Sequence, residues 1–397
     1  MENFEVVFEP KVLQWAREKA EFSTEILRLK LNNFWKNITV NTIVSWENGT
    51  LIPTPTQVRK LAEIYKRPVA VFLLANPPEE NILPPDRRTL GSKKTKNLSQ
   101  ETLFIIRKAR RIQFLAEGLE EELSIKRVFA YQKYTVSQNP EKLAQKIRED
   151  FSISISNQFK FRRYSDFFEY LRSKIEDTGV ITLRSGGHDS FPVADARAFS
   201  FVDRKPYVIL INNKDTEGAK NFSLLHEFAH ILIREESICN NFNSFNSDKQ
   251  IDPIEVFCNK FAASFLVPHD DFIAHRILVR KTEITIEELD FTASALAKDF
   301  KVSRLVILRK LLSSGFVTPE TYKNRAKKWG SEKPPHRLGG KNVPAKSAIL
   351  KNGVSFSSLV IEAYKREKLS HATASDYLGT KTKYLSSISR ILNSNGR

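Results

Sequence analysis

Cysteine, methionine and histidine are all scarce in this chain of 397 residues, which contains 2, 1 and 7 of them respectively. The two cysteines, Cys239 and Cys258, cannot form the disulfide framework on which small secreted folds depend, so a reducing compartment is expected. No stretch of about eighteen consecutive apolar residues occurs, which excludes a membrane-spanning helix as an expectation. The opening MENFEVVFEP does not read as a signal peptide. Acidic residues are scarce in one region only. Residues 301–397 contain 20 Lys and Arg against 5 Asp and Glu, whereas residues 1–80 contain 10 of each. Residues 81–134 carry 12 and 6, and residues 135–300 carry 21 and 25, so the net charge of +17 sits mainly at the far end. Hydrophobic content of 41% and charged content of 27% are those of a soluble globular protein. The length is enough for two or three domains.

Against this background one stretch stands out, Phe222 to Ile233, FSLLHEFAHILI. Apart from Ser223 its only polar residues are His226, Glu227 and His230, set among residues that would bury a helix on nearly all sides. A buried imidazole or carboxylate without a partner costs on the order of several kcal/mol, and a bound cation removes that cost. His226 and His230 lie one helical turn apart on one face, so both imidazoles can reach a single tetrahedral ion. Glu227 lies beside the ion's open position, where it can take a proton from water; this is the HExxH arrangement of zinc hydrolases. Its context agrees. Tyr207 to Asn212 (YVILIN) reads as a short buried strand, Asp215 or Thr216 can cap the helix, and a second apolar helix follows at Pro253 to Val267. Glu255 in that helix is the natural third ligand, because a catalytic zinc site uses three protein ligands and one exchangeable water. Asn259, one turn later, can orient a ligand from behind. Cys258 reads as a buried apolar residue, with a thiolate ligand as the alternative.

The pair FSLLHEFAHIL and ExxCNxFAAxFLVP (Glu255 to Pro268) closely resembles the ImmA/IrrE zinc metallopeptidases, where an FTLAHELGH helix is followed by ExxANxFAAxLLMP. The flanking WENGTLIPTPTQVRKLAEIYKRPVAVFLL, KVSRLVILRKLLSSGFV and GVSFSSLVIEAYKREKLSHATASDYLG resemble members that carry an N-terminal XRE-type helix-turn-helix. What the family implies is a cytoplasmic bacterial or phage endopeptidase that cleaves a repressor or similar regulator.

From the start of the chain, Pro10 to Ala20 reads as a first helix, and Ser23 caps a second that runs through Leu31. A third begins at Thr39 or Asn41 and ends at Gly49, and a fourth runs from Thr56 to Tyr65. In the XRE fold the third helix enters the major groove, which makes Thr39, Asn41, Thr42 and Ser45 candidate DNA contacts. The neutral charge of this domain leaves a protein-docking role as the alternative. Asn76 to Ser99, with paired prolines and Lys93, Lys94 and Lys96, reads as a linker. Helices are expected at Gln100–Leu123, Glu141–Asp150 and Tyr164–Asp177, and strands at Val180–Arg184, Ala198–Val202 and Tyr207–Ile211. His188 and His269 read as loop histidines, with extra ligands or proton donors as the alternative. Ala293–Leu312 and Ser370–Leu392 look helix-turn-helix-like, with plain packed helical hairpins as the preferred reading. Lys323 to Lys346 reads as an exposed basic loop.

The fold expected is therefore α+β and mostly helical: a helix-turn-helix bundle at 1–80, a linker and helix at 81–134, a minimal zincin-like domain with a small sheet at 135–272, and a basic helical region at 273–397. The expected function is zinc-dependent cleavage of a regulatory protein, with Zn2+ held by His226, His230 and Glu255 and with Glu227 as base and then acid. Its partners would be that protein substrate and DNA, the latter through residues 1–80 or the basic C-terminal region, with no membrane. The competing class is a non-catalytic DNA-binding regulator or antitoxin-like protein.

Overall fold

The computed structural model describes residues 8–20, 22–65, 67, 69–78, 98–187, 189–235, 237–239, 252–331 and 343–394. The chain divides into two compact units, residues 1–82 and 83–397.

The first unit contains α1 (Pro10–Lys19), α2 (Thr24–Leu31), α3 (Val40–Glu47) and α4 (Pro55–Tyr65), followed by a short 3-10 turn at Val69–Leu73. All four helices stand where the sequence places them, because their start signals operate. Pro10 occupies the first turn of α1, and the Ser23 hydroxyl accepts from the Ile26 N–H at 3.2 Å. Thr39 and Thr42 satisfy each other's backbone N–H in a reciprocal cap at the start of α3. Val12, Leu27, Leu31, Ile43, Trp46 and Leu61 form the interior. Arg17 grips Glu47 through two hydrogen bonds of 2.7 and 2.8 Å, tying α1 to the end of α3. The linker reading falls largely on residues 79–97, including Lys93, Lys94 and Lys96, which lie outside the described residues.

The second unit is α+β and mostly helical. Ahead of its sheet come α5 (Gln100–Glu122), α6 (Pro140–Asp150), α7 (Ile155–Lys160) and α8 (Tyr164–Asp177). The strands are β1 (Ile181–Arg184), β2 (Ala198–Phe201), β3 (Val208–Ile211) and β4 (Ser237–Cys239), in the order β1-β3-β2-β4. β1 runs parallel to β3, while β2 is antiparallel to both β3 and β4. Three of these strands were legible as short apolar runs; β4 was not. Between β3 and β4 runs α9 (Glu217–Ile233), and α10 (Pro253–Leu266) follows β4. Period-two alternation gives the sheet two buried faces. Ala198, Ile209 and Ile211 join the core that contains α9 and α10. On the other side α5 lies near the β2–β3 end: its Arg110 stacks over Phe201, and its Gln113 donates to the carbonyls of Arg204 and Pro206.

Beyond α10 come α11 (His269–Ile273), α12 (Ile286–Phe300), α13 (Arg304–Ser313) and α14 (Pro319–Gly330). The turn between α12 and α13 is packed inward. Asn221 of α9 donates to the Lys301 carbonyl at 2.7 Å, and a Cβ at Gly218 would stand 2.6 Å from the Ser303 nitrogen. This helix-turn-helix-like segment is therefore a packed hairpin, in line with the preferred reading of its sequence. The expected basic loop at Lys323–Lys346 needs correction. Its first part is helix α14, because Tyr322, Ala326 and Trp329 recur at helical spacing and pack on the core, leaving the lysines outward. Residues 332–342 lie outside the described residues.

The chain closes with α15 (Pro344–Lys365), α16 (His371–Tyr377), a 3-10 turn (Thr382–Tyr384) and α17 (Leu385–Ser394). α15 breaks at Gly353 (φ 80°, ψ 160°), and the break is pressed against β1. A Cβ there would meet a Glu176 carboxylate oxygen at 2.3 Å and the Thr182 carbonyl at 2.8 Å, so only glycine fits. Arg172 of α8 donates to the Leu350 carbonyl at 2.7 Å, and Glu176 accepts from the Ser355 N–H at 2.9 Å. The C-terminal helices thus cover the β1 edge of the sheet and share one compact unit with the HExxH helix.

Candidate metal centre

α9 begins at Thr216, whose hydroxyl accepts from the Ala219 N–H, and ends at Arg234 in the left-handed region (φ 58°). Every residue from Gly218 to Ile233 is buried. The Arg234 guanidinium donates to the Tyr131 carbonyl at 2.7 Å and lies over the rings of Phe129 and Tyr207, which fixes the helix end. α10 is capped at its start by Asp252. Its last carbonyls are met by buried side chains. Arg148 donates to the Phe265 carbonyl at 2.6 Å and Gln158 to that of Leu266 at 2.9 Å, while Gln158 also reaches the Phe300 carbonyl at the end of α12 at 2.8 Å. α10 is therefore held at both ends, by the Asp252 cap beside Glu255 and by Arg148 and Gln158 at the other.

Those groups converge. The Nε2 atoms of His226 and His230 are 3.2 Å apart. The Glu255 carboxylate stands 3.4 Å from the first and 3.3 Å from the second. In a tetrahedron with metal–ligand bonds of 2.0–2.1 Å, neighbouring ligand atoms are about 3.3–3.4 Å apart. Two imidazoles and a carboxylate at that spacing, in a buried setting, fit a divalent cation. Among the described residues, Cys258 is buried on α10 but is not part of this group.

Glu227 is completely buried beside the pair of imidazoles. Burial pushes its carboxyl above the usual carboxylate range, and His230, His226 and the Ser200 hydroxyl pull in the other direction. Burial would also raise Glu255, but hydrogen bonds and charge from His226 and His230 outweigh it and hold that carboxyl well below its usual range. The two carboxyls are therefore pushed in opposite directions, Glu255 toward the anion by the imidazoles and Glu227 toward the protonated form by burial. Ser200, on β2 in register with Ser237 of β4, was not singled out in the sequence. The one available signal was a hydroxyl in the otherwise apolar strand AFSF, on the face that also carries Ala198.

The other candidates are dispersed. Asn259 is half-buried on α10, one turn beyond Glu255. His269 is exposed at the start of α11, and His188 lies outside the described residues. Thr39, Asn41, Thr42 and Ser45 lie on or at the start of α3 in the first unit. The hydroxyls of Thr39 and Thr42 stand 2.9 Å apart and are taken up by the cap, while Asn41 is exposed.

Residues 187–312 match the Peptidase_M78 family model, the IrrE N-terminal-like domain. The matched stretch runs from β2 to α13 and contains all three candidate ligands and Glu227. It supports the ImmA/IrrE resemblance and a metallopeptidase-type function. Residues 1–186 and 313–397 lie outside it. No curated protein matches the chain.

Proposed function

We propose that the chain is a zinc-dependent endopeptidase of the cytoplasm whose substrate is a regulatory protein, a DNA-binding repressor or one like it, and that cleavage changes transcription. The observation that carries the peptidase reading is the convergence of His226, His230 and Glu255 beside a buried Glu227. These three residues would hold zinc, with Asn259 orienting a ligand from behind. The chemistry zinc supplies when bound is Lewis-acid polarisation of the scissile carbonyl and a water pKa lowered toward about 7.

Glu227 takes a proton from the attacking water on a carboxylate oxygen and delivers it to the leaving amine nitrogen. The C–O bond forms as that proton leaves the water, the C–N bond breaks as the nitrogen receives it, and the second water proton stays on the new carboxyl group. The substrate lies extended beside β4, the edge strand next to Ser200, and adds to the sheet as a further strand.

The test is a proteome-wide comparison of fragments in cells that carry the wild type and Glu227→Gln. Fragments of a DNA-binding regulator that vanish with the variant support both parts of the reading. An identical fragment set in both strains contradicts the peptidase. Cleavage of an unrelated protein, with neighbouring repressors left intact, contradicts the choice of substrate.

A further inference from the structure

Two segments of the second unit are helix-turn-helix-like, and they treat their turns in opposite ways. The α12–α13 turn is sealed against α9. The connection from α16 to α17, Leu378 to Lys381 followed by the 3-10 turn, faces solvent at Gly379, Lys381, Thr382 and Lys383. Gly379 takes φ 60° just after α16, and the chain turns there before the 3-10 turn leads into α17. Ala374, Leu378, Leu385 and Ile388 are buried and bring the two helices together with α15. That packing uses one face of α17. Its other face, with the turn before it, offers Lys381, Thr382, Lys383, Ser386 and Arg390, all exposed.

Two features of this face point to a polyanion. After Asp376 the sequence has no acidic residue, and Asp376 itself is engaged by Arg111 of α5 at 2.7 Å. Lys381, Lys383 and Arg390 form no ion pair among the described residues, and Lys383 meets only the ring of its neighbour Tyr384. Lys108, Arg110 and Arg111 of α5 contrast with them, since each holds an aspartate. Hydroxyls interleaved with cations that hold no carboxylate suit phosphate oxygens and base edges together. We propose that α16–α17 binds duplex DNA, with the start of α17 directed into the major groove. A plain packed hairpin accounts for the buried face of this pair and gives no reason for the composition of the exposed one.

The test measures binding of a labelled duplex by the full-length protein across a salt series. It compares the wild type with a triple variant, Lys381→Gln with Lys383→Gln and Arg390→Gln, and with the single variant Ser386→Glu. A matched control, Lys323→Gln with Lys327→Gln and Lys328→Gln, removes the same charge from α14. The triple variant should bind at least about tenfold more weakly, with a salt slope shallower by roughly 0.9 for each phosphate that is no longer neutralised. Ser386→Glu should weaken binding with no change in thermal stability, and the α14 control should lose little. An equal loss in the control, an unchanged triple variant, loss only on substituting Asn41 and Ser45 of α3, or no duplex binding by the wild type would each overturn the proposal.

Discussion

α9 and α3 both carry polar residues, yet one can be read for chemistry and the other cannot. On α9 the polar groups are buried, so each needs a partner whose identity is constrained by geometry; two imidazoles and a carboxylate 3.2–3.4 Å apart leave room for little except a cation. On α3 the polar groups before Glu47, which Arg17 holds, face water or each other. Thr39 and Thr42 are accounted for by their cap, and Asn41 is solvated. The surface around α3 is also mixed, since Ile26, Leu29 and Val44 on α2 and α3 are 45%, 58% and 44% exposed and the unit has no net positive charge. A helix-turn-helix outline thus says little about a ligand until its exposed face has been described. Burial makes polar residues informative, and exposure leaves them open.

Substitutions on the two helices should separate them accordingly. Glu227→Gln should lower peptide cleavage by roughly 10²- to 10⁴-fold, the usual contribution of a general base, while metal content is retained; steady-state kinetics with metal analysis checks it. In the same helix, Phe228→Ala removes a fully buried ring that packs on Phe129, Tyr131 and Phe151 and should destabilise the second unit by about 3–5 kcal/mol in denaturant unfolding. Thr39→Ala on α3 should cost about 1 kcal/mol, the value of one N-cap, and only in the transition of the first unit. Asn41→Ala should change stability by no more than about 0.5 kcal/mol, as for an ordinary surface position. A large stability loss from Asn41→Ala would show that α3 buries a polar contact and would erase the contrast.

How much was visible in the sequence follows the same division. The HExxH helix, its Thr216 cap, Glu255 on a second apolar helix, and the four helices of the first unit were legible because caps and apolar periodicity are local signals. Ser200 was missed because its meaning depends on register: only the pairing of β2 between β3 and β4 turns it toward Glu227. The helical start of the supposed basic loop was missed because lysines outnumber the Tyr322, Ala326 and Trp329 stripe that buries it. The covering of β1 by α15 joins segments far apart in sequence, and Gly353 gave no hint of the Glu176 carboxylate it must admit. Gly353→Ala should accordingly loosen this cover.

The central claim is that His226, His230 and Glu255 together hold one metal ion. Metal stoichiometry of the purified wild type and of His226→Ala, His230→Ala, Glu255→Ala and Glu227→Gln, measured together after identical dialysis, tests it most directly. The account predicts about one zinc per chain in the wild type and in Glu227→Gln, and loss of the metal from each of the three ligand variants. Full zinc content and activity in Glu255→Ala would contradict it.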